Sequence, residues 1–127
     1  MRNQLFAIIG ITTVSMASPA LSAELHNCGN PPALPAMFDV ESAGVDDIKL
    51  TASEYKAYQD ENTAYIDCLK SAASSDEIQG MKKKKRKKAM ATLDDALDET
   101  VANENRFADA FNDNFTMWKE KRQAATQ

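Results

Sequence analysis

The sequence predicts an all-α protein. It reads as an antiparallel helical hairpin, a short helix over about 51–73 and a long one over about 76–122, with a proline-rich N-terminal strap tied by one disulfide. Three observations predict it. Tyr55, Tyr58, Asn62, Tyr65 and Leu69 recur at alternating spacings of three and four, which puts them on one stripe of a helix. Leu93, Leu97, Val101, Ala108, Phe111, Phe115 and Trp118 follow the same spacing further on, and Phe107 widens that stripe. No proline follows Pro35, so nothing removes a backbone donor from either helix.

The first residues read as a targeting segment rather than as structure. Arg2 gives a short positive start, residues 5–14 an apolar stretch, and Leu21-Ser22-Ala23 a small-residue cleavage site, with a second site after Ala20. The apolar stretch is interrupted by Thr12 and Thr13 and falls short of the ~20 residues a membrane span needs. The expected organisation is a cleaved signal peptide over 1–23, an extended strap over 24–50 and the hairpin over 51–127. The expected location is periplasmic or secreted.

In an exported chain, two cysteines have one intramolecular pairing. Asn27 stands where a lipid-attachment signal would need a small residue, so Cys28 is read as the partner of Cys68. The alternatives are an intermolecular bridge or two free thiols. Closing the loop between Cys28 and Cys68 would contribute ~4 kcal/mol on a chain-entropy argument. Pro31, Pro32 and Pro35 keep the residues around them extended, and Met37, Phe38, Val40, Val45 and Ile48 are the apolar residues able to fold back onto helices.

The short helix is expected to start at Thr51, because Thr51-Ala-Ser-Glu54 fits a capping box. Ser74-Ser75-Asp76-Glu77 supplies a turn and a second capping signal. Gly80 and Asn103-Glu104-Asn105 are the weak points of the long helix. A hairpin turning near Ser75 would set Thr51 beside Glu99, leaving Phe107, Phe111, Phe115 and Trp118 beyond the end of the shorter helix. Four aromatic side chains in water mark an interface or need a cover. The strap is the first cover, a second copy of the chain the next, and a fold-back of the long helix near Asn103 the third.

Removing the signal peptide takes away one basic residue, leaving 14 against 19 acidic. Half of those 14 form one run: Lys82, Lys83, Lys84, Lys85, Arg86, Lys87 and Lys88. Within a helix, their i,i+3 and i,i+4 repulsions would cost on the order of 1.5–3 kcal/mol at low salt. Asp60, Glu61 and Asp67 are expected opposite them, and an external anion is the other source of relief. An acidic chain with a single basic run lacks the profile of a nucleic-acid binder.

The inventory of catalytic groups is nearly empty. His26 is the only histidine, no nucleophile, base and orienting group assemble around it, and His26 with Cys28 lacks the further ligands a zinc site needs. The acidic pairs Asp94-Asp95 and Asp98-Glu99 read as a solvated helix face. No catalytic residue, metal or cofactor is expected.

The motifs Cys28-Gly-Asn-Pro-Pro-Ala-Leu-Pro35, Tyr58-Gln-Asp, Tyr65-Ile-Asp-Cys68-Leu69, Phe111-Asn112 and Trp118-Lys119 resemble those of small secreted helical proteins of alphaproteobacteria. The resemblance covers most of the chain after the signal peptide and implies an exported helical protein with no catalytic residue. The basic run departs from that pattern.

Two functions follow as expectations. The first is a non-enzymatic envelope protein that forms a homodimer or docks an envelope partner through Phe107, Phe111, Phe115 and Trp118. The second is a module that binds an anionic membrane surface or another polyanion through the 82–88 run.

Overall fold

The tyrosine stripe is the seam on which the molecule is built. The computed structural model describes residues 26–127, so the signal peptide expected over 1–23 lies outside the described residues. Those residues form three helices, α1 (Val45–Ala73), α2 (Asp76–Gln79) and α3 (Lys83–Ala125), with no strand among them. The two long helices pack together as an antiparallel pair, and the strap reaches α1 through the Cys28–Cys68 disulfide. At 43 residues, α3 is about 65 Å long.

Helix α1 buries Ile48, Thr51, Tyr58, Asn62, Tyr65 and Leu69, spaced by threes, fours and one seven that Tyr55 divides. On α3 the buried residues are Ala89, Leu93, Thr100 and Phe107. The expected stripe is therefore displaced in its middle: Val101 is 42 % exposed and Thr100 takes the seam. Burial costs the threonine little, because its hydroxyl donates to the Ala96 carbonyl at 2.7 Å. Where the seam meets the turn, Tyr65, Leu69, Ile78, Ala89 and Leu93 form a core cluster. Burying Leu69, Ile78 and Leu93, each 2 % exposed or less, contributes about 1.5–3 kcal/mol apiece.

Two boundaries and the register of the helices differ from the expectation. Helix α1 starts at Val45, six residues before Thr51. Its N-cap is Gly44, whose N–H donates to the Asp47 carboxylate at 2.7 Å. Asp46 and Asp47 thus set the start, with negative charge where the helix macrodipole favours it. Thr51 lies inside the helix and donates to the Asp47 carbonyl at 3.1 Å, so the capping box read there is not used.

The second difference is a break in the long helix at Gly80. Ser75 caps α2 as expected, accepting from the Ile78 N–H at 3.3 Å. The α2 turn then closes at Gly80, whose N–H donates to the Asp76 carbonyl at 2.8 Å. A Cβ at Gly80 would sit 2.9 Å from that oxygen, so only glycine allows this close approach. The chain restarts as α3 at Lys83, with Lys82 as its N-cap.

The third difference follows from the second. The longer connection slides the two helices along each other, and the earlier start lengthens α1 beside the aromatic end of α3. Tyr55 faces Phe107, with ring centroids 5.0 Å apart, and Asn62 faces Glu104. The aromatic residues of α3 therefore lie alongside the start of α1 and the strap rather than beyond them.

Candidate functional site

At the open end of the hairpin, a stack of rings crosses the seam. Tyr58, Tyr55, Phe111, Phe115 and Trp118 follow one another with centroids 6.0–6.5 Å apart and planes within 20° of parallel. The strap closes over this stack. Phe38 is buried edge-on against Phe111 at 5.6 Å, and the Trp118 indole N–H donates to the Ala43 carbonyl at 2.8 Å. Lys121 pairs with Glu41 on the same strap. Lys119 lies 4.8 Å over the Phe115 ring and Arg122 4.8 Å over Trp118, each in cation–π contact. Of the four residues expected to form an interface, Phe107 is buried, while Phe111, Phe115 and Trp118 are half-buried.

Midway along the seam sits a polar set. Asn62 is fully buried and its amide donates to Glu104 Oε2 at 2.8 Å. Gln59 donates to Glu104 Oε1 and to the Tyr55 hydroxyl, both at 3.3 Å. Burial pushes the Tyr58 and Tyr55 hydroxyl pKa values up, and the Glu104 charge pushes them further. Tyr65 is raised by burial and by Glu99. The sequence marks Glu104 only as part of the weak stretch 103–105, not as a seam residue. The signal that could have found it is its position three residues before Phe107, on the same face.

At the closed end stands the basic run. Ala73 ends α1 eleven residues beyond Asn62, which corresponds to the level of Leu93 on α3. Lys83 to Lys88 therefore project past the end of α1, and Asp60, Glu61 and Asp67 lie further down the shaft, not opposite them. Six of the seven side chains are exposed. Arg86 is half-buried, because its guanidinium donates to the Gln79 carbonyl at 3.1 Å. None of the seven forms an ion pair with a described carboxylate. The first turn of α3 contains no acidic residue, so the macrodipole's positive end adds to the lysine charges instead of being offset.

The disulfide joins Cys28 and Cys68 with Cα atoms 5.8 Å apart. A cavity of about 390 Å³ beside it is lined by His26, Cys28, Cys68, Ser71, Ser75 and Glu77, among others. There His26 Nδ1 accepts from the Cys28 N–H at 3.1 Å, and its ring meets Tyr65 edge-on. Among the described residues, no three His, Cys, Asp or Glu side chains gather as a metal-binding set, and no helix is long and apolar enough to cross a membrane.

The resemblance noted above rests on its short motifs alone: no protein-family model matches the chain, and neither a curated protein nor a solved structure does.

Proposed function

We propose that this chain is a non-enzymatic, periplasmic or secreted helical protein that binds anionic surfaces through the 82–88 run. The observation that carries this reading is the exposure of Lys82, Lys83, Lys84, Lys85, Lys87 and Lys88 together at the closed end of the hairpin, with no carboxylate partner among the described residues. Each basic residue close to an anionic membrane surface contributes about 1 kcal/mol, so several acting together suffice for reversible attachment. The same charges repel one another in the free protein, and a negative surface relieves that repulsion. The disulfide accords with an oxidising compartment.

Co-sedimentation with vesicles tests the proposal. The protein should pellet with acidic vesicles, fail to pellet with zwitterionic ones, and lose binding as salt is raised. Equal pelleting by a variant with all seven positions changed to glutamine would overturn it.

A second reading, association with an envelope partner or a second copy, draws on the open end. Phe115 and Trp118 are half-buried and Met117, between them in sequence, is 49 % exposed. Light scattering on the purified protein tests it: a homodimer supports self-association, and a strict monomer removes that branch. The strap already occupies much of this face, so the basic tip is the stronger candidate.

A further inference from the structure

Resting on that reading of the basic run, we infer that the hairpin docks end-on against a lipid surface rich in anionic phosphate headgroups, with its long axis standing off the surface and the strap-closed end held away from it. The charge distribution along the shaft dictates this orientation. Behind the tip, residues 39–70 and 94–125, the open end included, carry sixteen acidic side chains against seven basic ones. Fifteen of the sixteen are exposed, the exception being Glu104 in the seam. Asp94, Asp95, Asp98 and Glu99 span an arc of about 140° on the side of α3 that faces away from the seam. Laying the hairpin on that side would press carboxylates against headgroups of the same sign, and the flank of Leu97, Val101, Ala102 and Asn105 offers headgroups only Lys70, beside Asp98.

Standing upright separates the basic run from the acidic shaft and leaves only Asp76 and Glu77 of α2 as carboxylates at the closed end. Asp94 lies six residues beyond Lys88, about 9 Å along the helix, which is roughly one screening length at physiological salt. Tip lysines then meet the headgroups while the acidic shaft is screened from them. The same geometry favours a plane over other anionic partners. The run covers nearly two turns and its side chains point round the axis, forming neither a groove for a duplex nor a stripe along one face. No aromatic residue lies within the run to stack on a base.

The single tryptophan reads the orientation directly. Trp118 lies thirty residues beyond Lys88, about 45 Å along α3. With vesicles of phosphatidylglycerol and phosphatidylcholine carrying dansyl-labelled headgroups, sedimentation reports binding and energy transfer from Trp118 reports distance. The protein should pellet while its tryptophan emission changes by no more than a few per cent. A variant with Asp94, Asp95 and Asp98 changed to asparagine and Glu99 to glutamine should still bind but transfer at least twofold more, because flat docking becomes tolerable. Binding of the unaltered protein with strong quenching of Trp118 would overturn end-on docking and leave the tip site standing. Failure to pellet with the acidic vesicles would overturn the site itself.

Discussion

Asn62 and Glu104, forty-two residues apart in sequence, meet across the seam through a 2.8 Å hydrogen bond from a side chain with no solvent exposure. A fully buried amide beside a carboxylate fixes which turns of the two helices face each other, since a slide by one turn would leave both groups unpaired. Hydrogen bonds to a charged group contribute about 1.5–3 kcal/mol, so Asn62→Ala should cost that much in a urea melt. In a double-mutant cycle with Glu104→Ala, the coupling should be at least about 1 kcal/mol. Additive losses would show that the pair does not hold the register.

The strap depends on one aromatic anchor. Phe38 is 7 % exposed and packs edge-on against Phe111. Phe38→Ala should cost about 3 kcal/mol and loosen the Trp118 bond to Ala43, shifting Trp118 emission to the red. Helical ellipticity should hold, because the seam does not include Phe38.

Replacing Cys28 and Cys68 together by serine removes a cross-link between positions 40 apart. The chain-entropy argument puts the loss at about 4 kcal/mol, less if the denatured chain keeps structure. The variant's urea midpoint should fall well below that of the oxidised protein, and dithiothreitol should lower the midpoint of the unaltered chain in the same direction.

Alkaline pH should unfold the protein. Tyr55, Tyr58 and Tyr65 all have hydroxyl pKa values raised, chiefly by burial. A raised folded-state value means that the folded form holds the proton more tightly. The stability this represents is fully present below the ordinary tyrosine value of about 10 and is lost as pH rises through the folded values. Ellipticity should stay flat through neutral pH and fall above about pH 10, together with the tyrosinate absorbance. Tyrosine ionisation well ahead of helix loss would contradict this coupling.

The basic run should be a stability defect in the free protein. Lys83 occupies the first position of α3, where the macrodipole disfavours a cation. Lys83→Glu should raise the urea-melt stability by about 0.3–1 kcal/mol or more at low salt. The gain should shrink as salt is added, and unchanged stability at low salt would show that the charges there are already balanced.

Much of this fold was legible in the sequence because it rests on periodicity and covalency. Tyr58, Asn62, Tyr65 and Leu69 line the seam as their spacing requires, and the two cysteines pair. What was not legible came from competing local signals. Thr51-Ala-Ser-Glu54 fits a full capping box, yet the cap lies seven residues earlier, where the Gly44 N–H donates to Asp47 with no side-chain cap in return, and the pattern alone does not show that the weaker signal wins. Gly80 was recognised as a weak point, but the break it makes depends on a 2.9 Å backbone approach that composition does not reveal. The break changed the register and the earlier start lengthened α1, and together they decide which rings are covered. The location of the basic run at the tip, away from Asp60, Glu61 and Asp67, follows from the same shift.

Among the described residues, the strap's hydrogen bonds to α3 close the longest loops: Ala43 with Trp118 at a separation of 75 residues, and Glu41 with Lys121 at 80. The seam, in contrast, zips outward from the nine-residue connection 74–82. Loop-closure entropy therefore orders the folding reaction, with the hairpin assembling first and the latch over the rings closing last. In a stopped-flow refolding experiment, Trp118 emission should trail ellipticity, and the two signals rising together would refute that order.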